Sequence, residues 1–413
     1  MNTRATRPRV LHIGKFYPPV SGGMERVLQL LCEREKATVQ SRVLVAHTGR
    51  RTVRETVAGV PVTRAGTWVS AGSVAVCPSL PLLVGREDPD VIVIHEPNPL
   101  GLLAYALARP SARLVIWFHA EVVRDPRKYA LFYRPLLAHA MRHASRVIVA
   151  TPPMADAAQL QGYDVPVSVI PYGVEVERLQ PTASVRQRVE GLRAEHPGPI
   201  ALFVGRLVPY KGLDVLIRAM AEVPARLVLV GDGPQRAQLE ALAHETGVAS
   251  KIVFAGEVSE ADLVAWYHAC DLFTLPSVTR AEAFGMVQVE AMACGKPVVS
   301  TNLPTGVPWV NRHGETGLVV EPGDVGGLAE ALARLITDPG LVARLGDGGR
   351  RRVHQEFTAE RMASRAVAVY AEVLAGQRAA VIPAVPPGLA AGEVAGPVMS
   401  ERGLTEGAAM RVE

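Results

Sequence analysis

The stretch "DLFTLPSVTRAEAFGMVQVEAMACGKPVVST", residues 271–301, decides the fold. It opens with a short apolar run that ends in Pro and Ser, which is typical of a buried strand. Residues 285–295 then carry apolar side chains at helical spacing and end at a glycine, as helices commonly do. "KPVVST" (296–301) has the pattern of a second buried strand. A strand, a helix and a strand in succession predict a parallel sheet covered by helices.

Two glutamates, Glu282 and Glu290, stand eight positions apart in this stretch. Eight residues of helix span about 12 Å, whereas the two carboxylates of a retaining glycoside hydrolase stand about 5–5.5 Å apart. The spacing therefore suits two separate contacts along one elongated ligand. Between them, the N–H groups near Gly285 and Met286 open a helix, where an anion is stabilised. Two solvated glutamates on a surface helix are the alternative.

The alternation of strands and helices occurs in two series along the chain. Val- and Ile-rich runs form a first series at 8–14, 41–47, 90–98, 113–121 and 145–152 and a second at 199–207, 226–234, 251–258, 271–277 and 296–301. A turn-rich segment, 170–181, separates the two series. We therefore predict an α/β protein with two doubly wound Rossmann-like halves that face each other across a cleft. Ligands of such sheets bind at the carboxyl ends of the strands.

A chain of 413 residues favours two or three domains. We expect one Rossmann-like domain at 1–175 and a second at 176–356. Residues 357–377 predict a last helix that packs back toward the N-terminal domain. The tail, 378–413, is rich in Pro, Gly and Ala without periodicity, which predicts disorder.

Composition narrows the class of protein. No apolar run approaches the ~18 residues of a membrane span, and the N-terminus leads into a strand without the apolar core of a signal peptide. Four scattered cysteines have no zinc-site spacing, so we expect a reduced, cytoplasmic location. Residues 1–173 carry 21 Lys and Arg against 12 Asp and Glu, whereas the remainder carries 23 against 28. Halves of opposite charge predict different partners for each half.

Several motifs resemble the retaining glycosyltransferases of family 4, which have the GT-B fold. They are "SGGMERVL" (21–28), "IPYGVEVERL" (170–179), "GRLVPYKGLDVLI" (205–217), "LVGDGP" (229–234) and "EAFGMVQVEAMACGKPVVST" (282–301). The resemblance covers roughly residues 8–375. Its most specific part is the combination of an R-x4-K element with an E-x7-E element.

The resemblance implies a donor site for a nucleoside diphosphate sugar in the second half. Arg206 and Lys211 suit a diphosphate, because Arg offers a fork of donors and Lys a point charge. In the family this is the leaving-group site, and it needs no metal. Glu282 matches the glutamate near the donor sugar, and Glu290 matches the one that holds the ribose. The intervening segment, whose backbone amides contact sugar and phosphate, is Phe284, Gly285 and Met286.

In the first half, Gly22 and Gly23 precede a helix and allow a phosphate to approach the backbone closely. A structural turn is the alternative there. His119 closes an apolar strand and matches the family's histidine that reaches the transferred sugar. We therefore predict a catalytic set of His119, Arg206, Lys211 and Glu282. The acceptor-site candidates at the end of another strand are His95, Glu96 and Asn98.

Residues 124–146 combine basic side chains with Leu, Phe and Tyr. The basic side chains belong to Arg124, Arg127, Lys128, Arg134, Arg142 and Arg146. Such a segment suits a peripheral contact with anionic lipid, at the inner face of the cytoplasmic membrane, or with a lipid-diphosphate acceptor. A solvated helix face over the core is the alternative. We expect no nucleic-acid partner.

The resemblance implies a metal-independent hexosyltransferase that moves a sugar, such as mannose or a related hexose, to an acceptor hydroxyl. The acceptor would be a sugar or a lipid-linked group in surface polysaccharide or glycolipid synthesis. A GDP-linked donor is preferred over a UDP-linked one by analogy with mannosyl- and rhamnosyltransferase-like members. Two alternatives stay open: a nucleotide-sugar 2-epimerase of the GT-B kind, and a non-catalytic nucleotide-sugar-binding partner.

Overall fold

The computed structural model describes residues 7–20, 22–71, 74–121, 127 and 129–376. Two sheets organise them, in agreement with the predicted α/β class. The strands of the first half are β1 Arg9–Ile13, β2 Gln40–Ala46, β3 Val53–Val57, β4 Val60–Ala65, β5 Val69–Ala71, β6 Val74–Val76, β7 Val91–Glu96, β8 Arg113–Phe118, β9 Ala144–Val149 and β10 Val167–Val169. Eight form one sheet in the order β10-β9-β8-β7-β1-β2-β4-β3, parallel except between β3 and β4, while β5 and β6 form a separate hairpin.

Helices connect these strands in the first half. They are α1 Gly23–Glu35, α2 Leu80–Arg86, α3 Pro99–Ala108, a π-helix at Tyr129–Tyr133, α4 Arg134–His143 and α5 Pro152–Ala155. The central strands β7 and β8 bury almost every residue, because helices cover both faces of a parallel sheet. Buried strands of this kind explain why the apolar runs in the sequence are continuous and do not alternate.

The second half repeats the plan with six parallel strands. They are β11 Ile200–Val204, β12 Arg226–Val230, β13 Ile252–Gly256, β14 Leu272–Leu275, β15 Val298–Thr301 and β16 Gly317–Val320, in the order β13-β12-β11-β14-β15-β16. The helices are α6 Ala183–Glu195, α7 Leu213–Ala219, α8 Arg236–Glu245, α9 Glu260–Ala269, α10 Met286–Ala293, α11 Val307–Val310, α12 Val325–Thr337, α13 Pro339–Glu356 and α14 Ala359–Leu374. Short 3-10 helices lie at Val176–Leu179, Pro209–Lys211 and Ala249–Lys251.

The last helix, α14, lies against elements of the first half. It packs along α1, and the Arg34 Nε donates to Glu360 Oε1 at 2.7 Å. Arg146 of β9 is buried and reaches Glu372 of α14 at 3.2 Å. Arg146 is therefore not part of a basic surface, and its assignment to the predicted membrane-facing set is wrong. The strand that follows α4 turns this side chain inward, where α14 supplies a counter-charge.

The chain passes between the two halves at two places that lie side by side. The Val174 N–H donates to the Phe357 carbonyl at 2.8 Å, and the Ala359 N–H donates to the Val174 carbonyl at 3.0 Å. A Cβ atom on Gly173 would overlap the backbone of Thr358 and Ala359, so only glycine permits this approach. The two crossings thus form one backbone-paired unit.

Glu175 adds an electrostatic contact at the same place. Its carboxylate accepts hydrogen bonds from Arg26 at 2.6 Å and Arg34 at 2.7 Å of α1, and from Arg178 at 2.7 Å. Burial acts to raise the pKa of Glu175, but the Arg178 hydrogen bond and the charges of Arg26 and Arg34 outweigh it and lower the pKa. One carboxylate therefore ties α1 to residues 172–178, the crossing segment that leads from the first half to the second.

In the described part of the chain, no helix is both long enough and apolar enough to cross a bilayer. The predicted disordered tail at 378–413 lies outside the described residues, as do Arg124 and Lys128 of the predicted basic surface. The described residues up to 376 belong to one compact unit, so the division at 175 and 356 stays a prediction.

Gly173→Ala should destabilise the fold, because the added methyl group must displace the paired backbone of the second crossing. Overpacking of this kind costs about 1–3 kcal/mol. The midpoint of urea unfolding measures it. Gly191→Ala is the matched control, since Gly191 lies in α6 and its added Cβ would make contacts of 3.8 Å or longer. An unchanged midpoint for Gly173→Ala would show that the crossing adjusts freely.

Candidate active site

A buried ion pair lies beyond the carboxyl ends of β11 and β14, the two central strands of the second sheet. Lys211, in the 3-10 helix that follows β11, places its Nζ 2.5 Å from Glu282 Oε2, and both side chains are buried. Ser277, shortly after β14, donates to the same oxygen at 3.2 Å. Strands β11 and β14 are parallel neighbours, so the loops at their carboxyl ends meet. The fold thus joins the predicted phosphate-binding lysine to the predicted sugar-binding glutamate.

Arg206 differs from Lys211 in its surroundings. It is exposed, and its guanidinium has no hydrogen bond or ion pair with any residue that the structure describes. Its loop is held by the turn after β12, because the Leu207 N–H donates to Asp232 O at 3.0 Å and the Gln235 N–H donates to Leu207 O at 3.1 Å. The backbone beneath Arg206 is fixed, while the guanidinium is available to an anion.

The segment between the two glutamates forms the start of α10. Gly285 is the residue before the helix, with φ of 73°, and a Cβ there would lie 2.6 Å from the Leu275 side chain. The adjoining Met286 begins the helix, whose first N–H groups have no partner within it. Phe284 is buried, with its ring centroid 4.8 Å from that of Tyr172 and 6.0 Å from that of Phe357. The predicted donor segment therefore contacts both crossings.

Glu290 is the fifth of the eight residues of α10 and is partly buried. Its Oε2 accepts a hydrogen bond from the Tyr267 hydroxyl of α9 at 2.7 Å. Burial raises the pKa of Glu290, and the hydrogen bond from Tyr267 opposes this effect. The other carboxylate oxygen has no partner among the described residues. The sequence provided no signal for Tyr267, which lies in an apolar helix 23 residues earlier.

Gly22 and Gly23 form the start of α1, a helix of 13 residues. The Gly22 carbonyl accepts the Arg26 N–H at 3.0 Å, which is the first bond of the helix. The Glu25 carboxylate folds back against Gly22, whereas no described atom beyond its chain neighbours and helix backbone lies within 4 Å of the position of a Cβ at Gly23. The two glycines thus leave a helix N-terminus accessible from one side.

His119 is buried, and both of its ring nitrogens are engaged. Nδ1 lies 2.6 Å from the Tyr172 hydroxyl oxygen, and Nε2 lies 2.9 Å from His95 Nδ1. Burial lowers the pKa of His119 to about 3, so the ring is neutral at neutral pH. The sequence indicated both histidines as ends of strands. The sequence did not indicate that His95 and His119 contact each other, nor that Tyr172 of the crossing segment contacts His119.

Glu96 and Asn98 make hydrogen bonds within the first half. Glu96 Oε2 accepts from the Tyr133 hydroxyl at 2.6 Å and from the Asn98 N–H at 2.8 Å. Asn98 Oδ1 caps α3 by accepting the Gly101 N–H at 3.0 Å. Burial raises the pKa of Glu96 to about 7. Each side chain keeps one buried polar atom that has no partner among the described residues, Glu96 Oε1 and Asn98 Nδ2.

Comparison with known proteins identifies the family. The sequence profile described as "Glycosyl transferases group 1" matches residues 187–352, and the profile "Glycosyltransferase Family 4" matches residues 21–178. The O-antigen chain mannosyltransferase C of Escherichia coli is 31% identical over 290 residues, which are 70% of this chain and 77% of the relative. The chain belongs to glycosyltransferase family 4. A further relative of this glycosyltransferase, the D-rhamnosyltransferase WbpZ of Pseudomonas aeruginosa, is 32% identical over 85% of this chain and 92% of its own length.

Solved structures confirm the GT-B fold of this glycosyltransferase. Sucrose-phosphate synthase from Thermosynechococcus elongatus matches with a TM-score of 0.72 and 24% identity, over 89% of this chain and all of that one. Anabaena HepE in complex with UDP matches with a TM-score of 0.71 and 23% identity, over 88% of this chain and 100% of its own. The enzyme transfers a sugar from a nucleotide sugar, and neither the epimerase nor the non-catalytic alternative is favoured, because the relatives are transferases.

The stability of this glycosyltransferase should fall as Glu96 ionises. In the folded protein the pKa of Glu96 is about 7, against an ordinary value of 4.5. The stability that protonated Glu96 contributes is therefore complete below pH 4.5 and is lost as the pH rises through 7. Between pH of about 5.5 and about 8.5, the wild type should lose about 2 kcal/mol relative to Glu96→Gln. The glutamine keeps an oxygen that accepts from Tyr133 and cannot ionise.

Urea unfolding of both proteins at the two pH values measures this difference. Glu257→Gln is the matched control, because Glu257 is exposed after β13 and makes no hydrogen bond with the described residues. A stability difference between wild type and Glu96→Gln that is the same at both pH values would contradict the expected titration.

Proposed function

We propose that this glycosyltransferase transfers mannose or a related hexose from a GDP-linked donor to an acceptor in surface polysaccharide or glycolipid synthesis. The names of its relatives support this choice. They include the two already described and a GDP-mannose-dependent phosphatidylinositol monomannoside mannosyltransferase of Mycolicibacterium smegmatis, 28% identical over 90% of this chain and 99% of its own. UDP, which is bound in the HepE structure, is the competing nucleotide.

The main support for a donor site here is the buried ion pair of Lys211 and Glu282. We propose that the donor diphosphate replaces Glu282 as the partner of Lys211. Because an anion that binds Lys211 competes with the carboxylate, Glu282 is then free to accept hydrogen bonds from the sugar hydroxyls. Arg206 approaches the same diphosphate from the solvent side as a planar fork of donors.

We propose that the remaining donor contacts extend along α10 and to α1. The backbone at Phe284, Gly285 and Met286 contacts sugar and phosphate, where a helix N-terminus favours negative charge. Glu290, oriented by Tyr267, accepts from the ribose hydroxyls. Gly22 and Gly23 supply a second helix N-terminus from the first half. These groups would stabilise the leaving nucleoside diphosphate without a metal ion.

Nucleotide affinity tests the proposed diphosphate site. GDP, UDP, ADP and dTDP are compared by thermal shift and titration calorimetry, and GDP is expected to bind most tightly. Arg206→Ala and Lys211→Ala should each weaken GDP binding by about tenfold or more, since a charged hydrogen bond contributes about 1.5–3 kcal/mol. Arg218→Ala is the control, because Arg218 is an exposed residue of α7. Wild-type affinity in both site variants would refute the assignment.

Transfer activity tests the role of Glu282. GDP-mannose is incubated with lipid-linked and oligosaccharide acceptors, and product is detected by mass spectrometry. Glu282→Ala should keep nucleotide binding and lose most of the turnover, because its sugar contact acts on the reacting ring. A Glu282→Ala enzyme with wild-type turnover would contradict the proposed role, and transfer only from UDP-sugars would contradict the proposed donor.

We further propose that this enzyme contacts an anionic membrane, at the inner face of the cytoplasmic membrane, through residues near 127–142. Leu131 and Phe132 of the π-helix are 70% and 65% exposed, which is unusual for adjacent large apolar residues. Exposed arginines flank them on both sides, at Arg127, Arg134 and Arg142. Apolar side chains between basic ones suit the boundary between acyl chains and anionic headgroups.

Co-sedimentation with vesicles tests this contact. Wild type should bind vesicles of phosphatidylcholine with about 30% phosphatidylserine, and less so without phosphatidylserine, because headgroup charge attracts the arginines. Leu131→Asp with Phe132→Asp should abolish the binding. Leu374→Asp, a change at an exposed apolar residue at the end of α14, should not. Equal binding by all three proteins would place the contact elsewhere.

A further inference from the structure

Five buried side chains form a continuous hydrogen-bonded chain through the first half. They are Glu35 at the end of α1, His12 of β1, His95 of β7, His119 after β8, and Tyr172 of the crossing segment. In that order the joining distances are 2.7 Å (Oε1 to Nε2), 3.1 Å (Nδ1 to Nε2), 2.9 Å (Nδ1 to Nε2) and 2.6 Å (Nδ1 to Oη). None of the five is more than 6% exposed.

The protonation states of these side chains restrict the directions of the hydrogen bonds between them. Burial lowers the pKa of His95 well below its ordinary value, with a further contribution from the neighbouring histidines, and burial lowers that of His119 to about 3. Burial also raises the pKa of Tyr172, so its hydroxyl keeps its proton. Each neutral imidazole has one N–H donor and one acceptor nitrogen. A proton on one nitrogen therefore determines what the other nitrogen does.

A carboxylate at Glu35 together with a neutral His12 would set the direction of every hydrogen bond in this series. A carboxylate only accepts, and Glu35 Oε1 also accepts from the Ser41 hydroxyl at 2.8 Å. A neutral His12 then carries its proton on Nε2, which leaves Nδ1 to accept from His95 Nε2. By the same reasoning His119 carries its proton on Nε2 and accepts the Tyr172 hydroxyl hydrogen on Nδ1.

We propose that Glu35, acting through His12 and His95, fixes the tautomer of His119 and thereby makes the Tyr172 oxygen a hydrogen-bond acceptor at the boundary between the two halves. Glu35, His12 and His95 are positioning residues in this scheme. Tyr172 is the residue that meets the ligand, because its ring packs against Phe284 at the start of the donor segment. The predicted histidine tautomers rest only on the hydrogen bonds among these five side chains, whereas the contact between Tyr172 and a ligand rests on the proposed function.

The chemistry of the Tyr172 oxygen indicates which ligand group it recognises. With its hydrogen directed to His119, the oxygen presents only lone pairs to a ligand that reaches it. Lone pairs accept from a sugar hydroxyl and repel phosphate oxygens. We therefore assign Tyr172 to a hydroxyl of the transferred or accepting sugar, separate from the diphosphate contacts of Arg206 and Lys211.

The arrangement in which every hydrogen bond of the series points the other way requires one additional proton. If a proton is added to Glu35, the carboxyl group donates to His12 Nε2, His12, His95 and His119 donate through Nδ1 in turn, and the Tyr172 hydroxyl hydrogen points away from His119. No bond between heavy atoms changes. The two arrangements are distinguishable, because every histidine in the chain exchanges one neutral tautomer for the other.

Nitrogen-15 NMR of the histidine rings in the full-length protein tests the tautomers directly. Two-bond proton–nitrogen couplings distinguish a protonated Nδ1 from a protonated Nε2, and single His→Gln variants assign the signals. We expect His12, His95 and His119 of the wild type all to carry the proton on Nε2. A proton on Nδ1 of any of the three overturns the proposal. This measurement requires no substrate and no variant at Glu35.

Two substitutions at Glu35 then test the long-range effect. Glu35→Leu removes the acceptor, so His119 should change to the Nδ1-protonated tautomer although it does not contact Glu35. Glu35→Gln is the matched control, because its amide oxygen still accepts from His12, and it should preserve the wild-type tautomers. Tyr172→Phe should leave His12 and His95 unchanged. A wild-type tautomer of His119 in a folded Glu35→Leu protein overturns the proposal.

Enzyme kinetics test the ligand assignment separately. Glu35→Leu and Tyr172→Phe should each lower turnover about threefold to tenfold, as expected for one neutral hydrogen bond, with nucleotide affinity unchanged. The double variant should be no slower than Tyr172→Phe, because Glu35 acts only through Tyr172. Additive losses overturn the proposal. If the tautomers are as expected and no sugar transfer occurs with any donor, the proposed function fails while the assignment of the chain stands.

Discussion

The backbone pairing of the two crossings is the constraint on which the site depends. Val174 bonds to Phe357 and Ala359, so the segment that leaves the first sheet and the segment that leads into α14 have a fixed separation. Tyr172 lies two residues before Val174 and therefore sits between His119 of the first half and Phe284 of the second. Tyr172 thereby joins groups that follow strands of both sheets.

Ion pairs hold charged groups both at the candidate site and at the crossing segment. Lys211 is neutralised by Glu282, and Glu175 takes three arginines from α1 and the crossing segment. A buried charge without a partner is costly, so pairing makes such a site compatible with a stable fold. In the proposed donor site, a diphosphate competes with this carboxylate for Lys211. Arg206, exposed and unpaired among the described residues, is the cation that an incoming anion meets without such competition.

The sequence predicted the central strands of both sheets, because their apolar runs are long and buried on both faces. It did not predict the edge strands β3, β10 and β16, which are short or more polar and gain their pairing from a neighbour. The assignment of Arg146 failed for a related reason. A basic residue after an amphipathic helix indicates a surface, but the buried side of β9 and the distant Glu372 determine where that side chain lies.

The sequence by itself determined the βα alternation, the family, and the residue types of the proposed donor site, since these are local patterns of hydrophobicity and spacing. Only the tertiary structure decided which of those residues touch. Lys211 and Glu282 are 71 positions apart, and His12 and His95 are 83 apart. Parallel strands bring such residues together, because neighbours in a sheet are separated along the chain by whole helices. Pairing across a sheet is therefore absent from any local sequence pattern. The hydrogen-bonded series from Glu35 to Tyr172 can be recognised only when the order of the strands in the sheet is known.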